Sequence, residues 1–339
     1  MSDDQGARLW VSRADLRQTR VVADPDAPTA RPLADGEARL RIQRFALTAN
    51  NITYAAFGEA MHYWDFFPTG DAAWGCIPVW GFAEVTESRA QGVAVGERYY
   101  GYWPMGRWLV LQPQRAGARG FVAGDAHRRA LPAVYNQALR CAADASYVAA
   151  REAEQALLKP LFTTSFLIDD FLADEGFFGA RQVVVSSASA KTAFGLAHLL
   201  HHRGTVTVVG LTSPSNHAFV RSLGCYDRVL AYDELDRLDP AVPAVYVDFA
   251  GSAALRQRVH AHFGDALRFS SAVGLSHREL QRREGPPLPG PKPIFFFAPD
   301  RLRKRAQDWG RDGIEPRVAE QWQGFVQAAQ GWITLHEGA

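Results

Sequence analysis

Ser186, Ser187, Ser189, Ala190 and Lys191 are small or hydroxyl-bearing residues and one cation, set between an apolar run and a helical pattern. Residues of these types in this place can hold phosphate: hydroxyls and backbone N–H groups donate, and the lysine adds charge. The surrounding segment, RQVVVSSASAKTAFGLAHLLHHRGTVTVVGLT at 181–212, reads strand, tight turn, helix, Gly-led turn, strand. Val183, Val184 and Val185 form the β-branched run of a parallel strand buried on both faces. From Thr192 the pattern is helical, with Phe194, Ala197, Leu199 and Leu200 apolar; Gly204 ends it, and Val206 to Val209 restart a strand. A strand feeding a helix through such a turn aims the helix's free N–H groups and positive dipole end at one spot, which suits the pyrophosphate of a dinucleotide. Ser187, Ser189, Ala190, Lys191 and Thr192 are the predicted contacts. The usual G-x-G-x-x-G is absent: Ser187, Ala190 or Lys191, and Ala193 stand where glycines would give positive φ and close backbone approach. The alternative is an α/β domain whose turn is empty.

The segment after the second strand, GLTSPSNHAF, sets cofactor preference. An acidic side chain there would bind the ribose hydroxyls of NAD and repel an added phosphate. Thr212, Ser213 and Asn216 offer neutral donors instead, with His217 and Arg221 nearby, which favours NADPH over NADH. Ser213 or Ser215 would also serve as an ordinary helix N-cap before Pro214.

Whatever these residues do is positioned by a chain of 339 residues, long enough for two lobes. Apolar content of 47% with 22% charged residues fits a globular protein. A formal net charge of +1 gives no whole-molecule attraction for nucleic acid or an anionic membrane. No apolar run is long enough to span a bilayer, and the polar start MSDDQGARLW does not read as a signal peptide. Cys76, Cys141 and Cys225 are few and scattered, which argues for the reducing cytoplasm and against a disulfide framework or a C-x-x-C zinc clip.

Residues 1 to about 150 alternate apolar and polar positions between Gly and Pro breaks, as β-strands do. A helical stretch follows, with an interruption expected at Pro160. Strands and helices then alternate to about Ser271, the pattern of a parallel sheet with crossover helices. GPPLPGPKP at 285–293 reads as a linker, followed by the apolar run Ile294–Ala298, a basic helical stretch and a helix over Arg317–Gln330. The basic run RLRKRAQDWGR is expected to be a solvated face. His198, His201 and His202 are expected at a solvated helix end, where a cation complements the dipole.

Several landmarks, in order along most of the chain, resemble the medium-chain dehydrogenase/reductase superfamily, in its zinc-free quinone oxidoreductase and enoyl reductase branch. LTANNITYAAFG sits where those proteins carry an active-site loop. IPVWGFAEVTES with VAVGERYYGYWP resembles a strand pair of their barrel lobe. VVVSSASAKTAFGLAHLL resembles the nucleotide turn, AFVRSLGCYDRVLAYDE the helix and strand after it, and VYVDFAGS a strand ending in D-x-x-G. NNITYA, LFTTSFLIDDF and FFFAPDRLRKRAQDWG further resemble a bacterial family of unknown function within that superfamily. The resemblance implies an α/β fold with a Rossmann-like parallel sheet domain plus a GroES-like β-barrel lobe. Its divisions would be residues 1–155 for the β-rich catalytic lobe, 156–284 for the nucleotide domain with its leading helix, and 285–339 for a linker and return segment packing on the first lobe.

The resemblance also implies site residues. Tyr54, in the loop matching the active-site loop, would donate a proton to an enolate or alkoxide. Asn50, Asn51 and Thr53 would bind a carbonyl oxygen. Alternatively, Tyr54 packs in the core while the asparagines cap a turn. Thr163 and Thr164 fall where the superfamily has residues near nicotinamide, or else bond their own backbone. Phe249, beside Asp248 in the D-x-x-G strand, would be a further cofactor contact. Of the many aromatics in the first lobe, most are core; Tyr63 and Trp64 are the candidates to wall an apolar substrate pocket. Tyr135 and Asn136 are assigned a structural role. Where zinc relatives carry G-H-E, Trp80-Gly81-Phe82 stands, and no His or Cys has ligand spacing, so no metal is expected. Relatives continue the barrel lobe where this sequence ends after GWITLHEG, so an exposed sheet edge is expected; with the run Ile294–Ala298 it suggests a homodimer.

The sequence reading is therefore an NADPH-dependent, zinc-independent oxidoreductase. It would transfer hydride to an activated C=C or C=O of a small molecule, such as an enone, quinone or enoyl thioester. The alternative is a degenerate reductase fold that binds a nucleotide or small ligand without turnover.

Overall fold

The computed structural model describes residues 5–273, 287–310 and 313–338. The chain divides into two compact units, one running to Pro160 and one from Leu161 to Gly338. In the first, β1 (Ala7–Ser12), β2 (Thr19–Ala23) and β4 (Trp74–Gly75) form a small antiparallel sheet. A larger antiparallel sheet contains β3 (Ala38–Phe45), β5 (Pro78–Ser88), β6 (Arg98–Pro104), β7 (Trp108–Leu111), β8 (Pro113–Gly117), β9 (Gly120–Ala123) and β10 (Gln137–Arg140). Its order is β7-β3-β5-β6-β10-β9-β8. The β3–β5 register shifts between Arg39 and Leu40 and again between Ile42 and Arg44; such bulges bend and twist a strand pair, letting the sheet curl. The curled sheet buries Leu40, Val79, Val85, Tyr99 and Tyr102 completely. Helix α1 (Ala49–Ala56) follows β3.

The second unit holds a parallel sheet of β11 (Gln182–Val185), β12 (Thr207–Thr212), β13 (Arg228–Ala231), β14 (Ala244–Asp248), β15 (Leu267–Ala272) and β16 (Ile294–Phe295). Their order is β13-β12-β11-β14-β15-β16. Counted from β11, this is the 3-2-1-4-5-6 order of dinucleotide-binding sheets, with the reversal of direction at β11 and β14. Val183, Val184, Val185, Val208, Val209 and Val247 are all fully buried, as strands covered on both faces require. Helices α3 (Lys191–Arg203), α4 (His217–Ser222) and α5 (Ala253–Phe263) make the crossovers. Among the described residues no helix is long and apolar enough to cross a membrane.

Four expectations differ from what is observed. Helix α2 (Glu152–Asp174) runs unbroken through Pro160. A proline in a helix interior costs about 3 kcal/mol, but Leu158, Phe162, Leu167, Ile168 and Leu172 are all fully buried, and each such side chain contributes roughly 1.5–3 kcal/mol. The basic run is not a uniformly solvated face. On α6 (Ala298–Trp309), Arg301 and Arg305 are buried, and both grip Asp170 of α2 through their Nε atoms, at 2.9 and 2.7 Å. Arg301 also reaches Asp174 at 2.9 Å; both partnerships follow i, i+4 spacing, which puts each pair on one helix face. The last residue of that run, Arg311, lies outside the described residues.

His198 is likewise buried rather than solvated, packed on Phe194 and Phe325, while His201 and His202 remain exposed. Finally, the return segment joins the second unit. Ile294–Phe295 pairs with the open edge of β15, satisfying backbone groups there. α7 (Ile314–Gln330) stacks Phe325 on Phe162 of α2, ring centres 4.5 Å apart. The first two linker residues and the division expected at 284/285 lie outside the described residues.

Candidate functional site

Ser186, at the end of β11, is committed to the sheet: its Oγ donates to Asp248 Oδ1 at 3.0 Å and accepts the N–H groups of Phe249 and Ala250, each at 3.1 Å. These bonds tie the ends of β11 and β14 together at the reversal of strand order. Asp248 also accepts the Gly251 N–H at 3.0 Å and pairs with Arg256 at 3.1 Å, which closes the D-x-x-G turn. Ser187 then takes φ 50°, the left-handed conformation a fingerprint glycine would supply. Ala188 is held by its N–H to Leu211 O at 3.1 Å and by the Tyr226 hydroxyl, which donates to its carbonyl at 2.9 Å. Gly210 makes room for both: a Cβ there would sit 2.9 Å from the Tyr226 ring and 3.0 Å from the Ala188 methyl.

The chain enters α3 through Ala190 in extended conformation, and no side chain caps the helix. The backbone N–H groups of its first turn and the Lys191 cation therefore share one mouth. Asn216, in the loop after β12, donates to Ser189 Oγ at 3.1 Å, so the structure joins two candidate residues from different loops. Thr212 is buried, and its Oγ1 makes no hydrogen bond among the described residues. Ser213 bonds Ser215 at 2.9 Å, and His217 is spent on Val229 O at 3.1 Å. Thr163 and Thr164 lie half-buried on α2; their neighbour Ser165 donates to Thr192 O at 2.7 Å, bringing α2 against the first turn of α3. Gly195 permits that approach, since a Cβ there would come within 2.6 Å of Ser165 Oγ. Phe249 is half-buried at the end of β14. An uncapped helix mouth, an orphaned buried hydroxyl and a β12 terminus without acid fit a phosphorylated dinucleotide.

The candidates of the first unit form a separate cluster. Thr48 caps α1, and Asn51 completes the capping box by accepting the Thr48 N–H at 2.7 Å. Its Nδ2 donates to Pro78 O at 3.0 Å, so the Asn51 amide is spent on structure. Thr53 points to the exposed face and Asn50 is half-buried. Tyr54 is buried, its hydroxyl accepting Trp80 Nε1–H at 3.1 Å. Its ring centre lies 4.8 Å from Tyr63 and 5.5 Å from Tyr102, the second pair edge-on. Tyr63 and Tyr135 place their hydroxyls 3.3 Å apart. Burial raises the pKa of Tyr54, and more weakly the nearby Tyr63 does too; Tyr63, Tyr102 and Tyr135 are raised mainly by burial. All four are protonated phenols at neutral pH, able to donate. Trp64 packs against Gly58 and Gly75 in the interior.

Sequence reasoning missed Tyr102 and Tyr135 as members of this cluster. Both fall among many aromatics, and only the polar character of Tyr135-Asn136 in an apolar setting marked one of them. Among the described residues no group of three or more His, Cys, Asp or Glu could hold a metal ion, and all three cysteines are buried.

Among curated proteins none matches this sequence. Solved structures match it closely in fold. CurA from Vibrio vulnificus in complex with NADPH superposes with a TM-score of 0.61 at 14% identity, covering 98% of this chain and 90% of that one. A putative NADPH:quinone reductase from Mesorhizobium loti gives 0.61 at 9% identity, with 99% and 92% covered. The mitochondrial 2-enoyl thioester reductase heterodimer from Candida tropicalis gives 0.57 at 9% identity, with 99% and 91% covered. The parallel sheet and the curled antiparallel sheet thus share the fold of these solved structures. Residues 45–339 match the family model described as "Protein of unknown function (DUF2855)", and the chain belongs to that family.

Proposed function

We propose that this protein is an NADPH-dependent reductase of a small molecule carrying an activated C=C or C=O. The observation that carries the reading is the turn Ser186–Ala190. It lies where the strand order reverses, with a left-handed Ser187, an uncapped α3 mouth and the Ser189–Asn216 bridge. In this reading Lys191 and the first N–H groups of α3 hold the pyrophosphate. Thr212, Ser213 and Asn216 hold the adenosine end, where no carboxylate repels a ribose phosphate. When bound, NADPH supplies a hydride. The protein's own part is to bind and orient the substrate and to hold a proton at Tyr54 Oη, a phenol whose raised pKa keeps it protonated. No step of this reading is assigned to a metal.

Titration with NADPH, followed by its fluorescence, is expected to show binding below millimolar concentration, and NADPH oxidation is expected with members of an enone and quinone panel. Tyr54→Phe is expected to lower kcat by about 100-fold or more while leaving NADPH affinity unchanged. Absence of NADPH binding up to millimolar concentration would refute the reading.

One observation favours the second reading, binding without turnover: the Tyr54 side chain is buried and the Asn51 amide is saturated by Thr48 and Pro78. NADPH binding by parent and Tyr54→Phe alike, with no oxidation on any panel member, would select it.

A further inference from the structure

Arg128 is only 2% exposed, yet among the described residues its guanidinium makes neither a hydrogen bond nor an ion pair. A buried, unpaired guanidinium is costly, and each such group in a native structure calls for a partner. Its surroundings are aromatic: the guanidinium carbon lies 4.6 Å from the Phe67 ring centre and 5.7 Å from that of Phe66. Phe66 in turn stands edge-on to Tyr102 at 5.3 Å and packs on Tyr135 at 5.4 Å. Cation–π contact offsets part of the desolvation but satisfies none of the five N–H donors.

Tyr102 is the second orphan. Fully buried, its hydroxyl is near enough to Tyr54 to lower that phenol's pKa, but makes no hydrogen bond of normal geometry. Arg128 and Tyr102 also lie within electrostatic reach of each other. Asp125 and Asp26 act on Arg128 only from a distance, neither forming an ion pair with it. Burial lowers the Arg128 pKa to about 10, so it remains a cation at neutral pH.

The arginine is held in place. Asn136 Nδ2 donates to its carbonyl at 3.0 Å, and His127 Nε2, one residue before it, lies 3.4 Å from Phe66 O. These contacts fix the backbone that carries the guanidinium, and unmet donors on a fixed base are preorganised for an anion.

The geometry points to Arg128 as the binding residue for a carboxylate on the substrate of the tyrosine cluster, with the Tyr102 hydroxyl as a second donor. A planar monoanion matches the guanidinium fork. A phosphate dianion would lose far more hydration in so apolar a place. The walls of Phe66, Phe67 and Tyr135 select an unsaturated or aryl acid.

The inference rests on the tyrosine cluster being the substrate site proposed above. Its test uses no NADPH, so it can fail while cofactor binding stands, or stand while cofactor binding fails. Cinnamate and its neutral amide, cinnamamide, serve as a matched pair in isothermal titration calorimetry. The parent is expected to prefer cinnamate by on the order of 10- to 100-fold, the worth of a hydrogen-bonded charge. Arg128→Met should abolish the preference and, by removing an unpaired buried charge, melt no lower than the parent. Tyr102→Phe should weaken cinnamate by about 10-fold, and it decides the matter if Arg128→Met fails to fold. Equal binding of the two molecules by the parent, binding of neither, or a preference that survives both substitutions overturns the inference.

Discussion

Ser187 carries a strain that can be removed without touching any contact. An L-residue in the left-handed region costs roughly 1–2 kcal/mol, and Ser187 stands there at φ 50°. Its side chain makes no hydrogen bond among the described residues, so truncation forfeits nothing. Ser187→Gly relieves the steric cost but gives the unfolded chain more freedom, worth about 0.5–1 kcal/mol. The difference predicts a net stabilisation of between about 0 and 1.5 kcal/mol, centred near 0.75. Ser187→Val should do the reverse, because a β-branched side chain is still less tolerant of positive φ. Amide hydrogen exchange at Val183, Val184 and Val185 reads the stability of this sheet without interference from the first unit. Protection should rise in the glycine variant and fall in the valine variant. Lower protection in Ser187→Gly, or a valine variant as protected as the parent, would refute the claim that the turn stores strain.

Two further predictions concern stability. Burial, and then His202 and His201, hold the His198 pKa down to about 4, against 6.5 for a free imidazole. Between those values the unfolded chain takes up a proton the native chain refuses, so stability present above pH 6.5 drains away as pH falls toward 4. With allowance for partial solvent screening the loss is about 2 kcal/mol; His198→Leu should flatten the pH dependence of the urea midpoint between pH 7 and 5, and an unchanged slope would rule this out. Asp170→Asn removes the carboxylate that Arg301 and Arg305 share. Leaving two buried guanidiniums short of a counter-ion should cost about 3 kcal/mol. Arg303→Ala, on an exposed residue of the same helix, should change the midpoint by no more than about 0.5 kcal/mol; equal effects would show that the buried pairs add nothing.

What could be read from residues alone was local. The valine runs of β11 and β12, the small-residue turn and the Gly204 stop announce themselves through periodicity and turn chemistry, which depend on near neighbours in sequence. Gly204 indeed takes the left-handed φ of 65° that a helix C-cap requires. The absence of an acid after β12 was equally plain, because it needs only a position on a strand end. Pro160 was misjudged because a local breaking tendency was weighed without the five fully buried side chains that override it.

Burial partners were decided by the tertiary structure alone. A run of basic residues looks the same whether its arginines face water or Asp170, and three histidines near a helix end do not announce which one Phe194 and Phe325 will cover. Arg128 and Tyr102 are separated by 26 positions and by whole strands, and nothing in their spacing marks them as neighbours with unmet donors. Local conformation is set by each residue's own backbone and side-chain preferences. Which charges lose their water, and what they then need, is set by side chains that only the folded chain brings together.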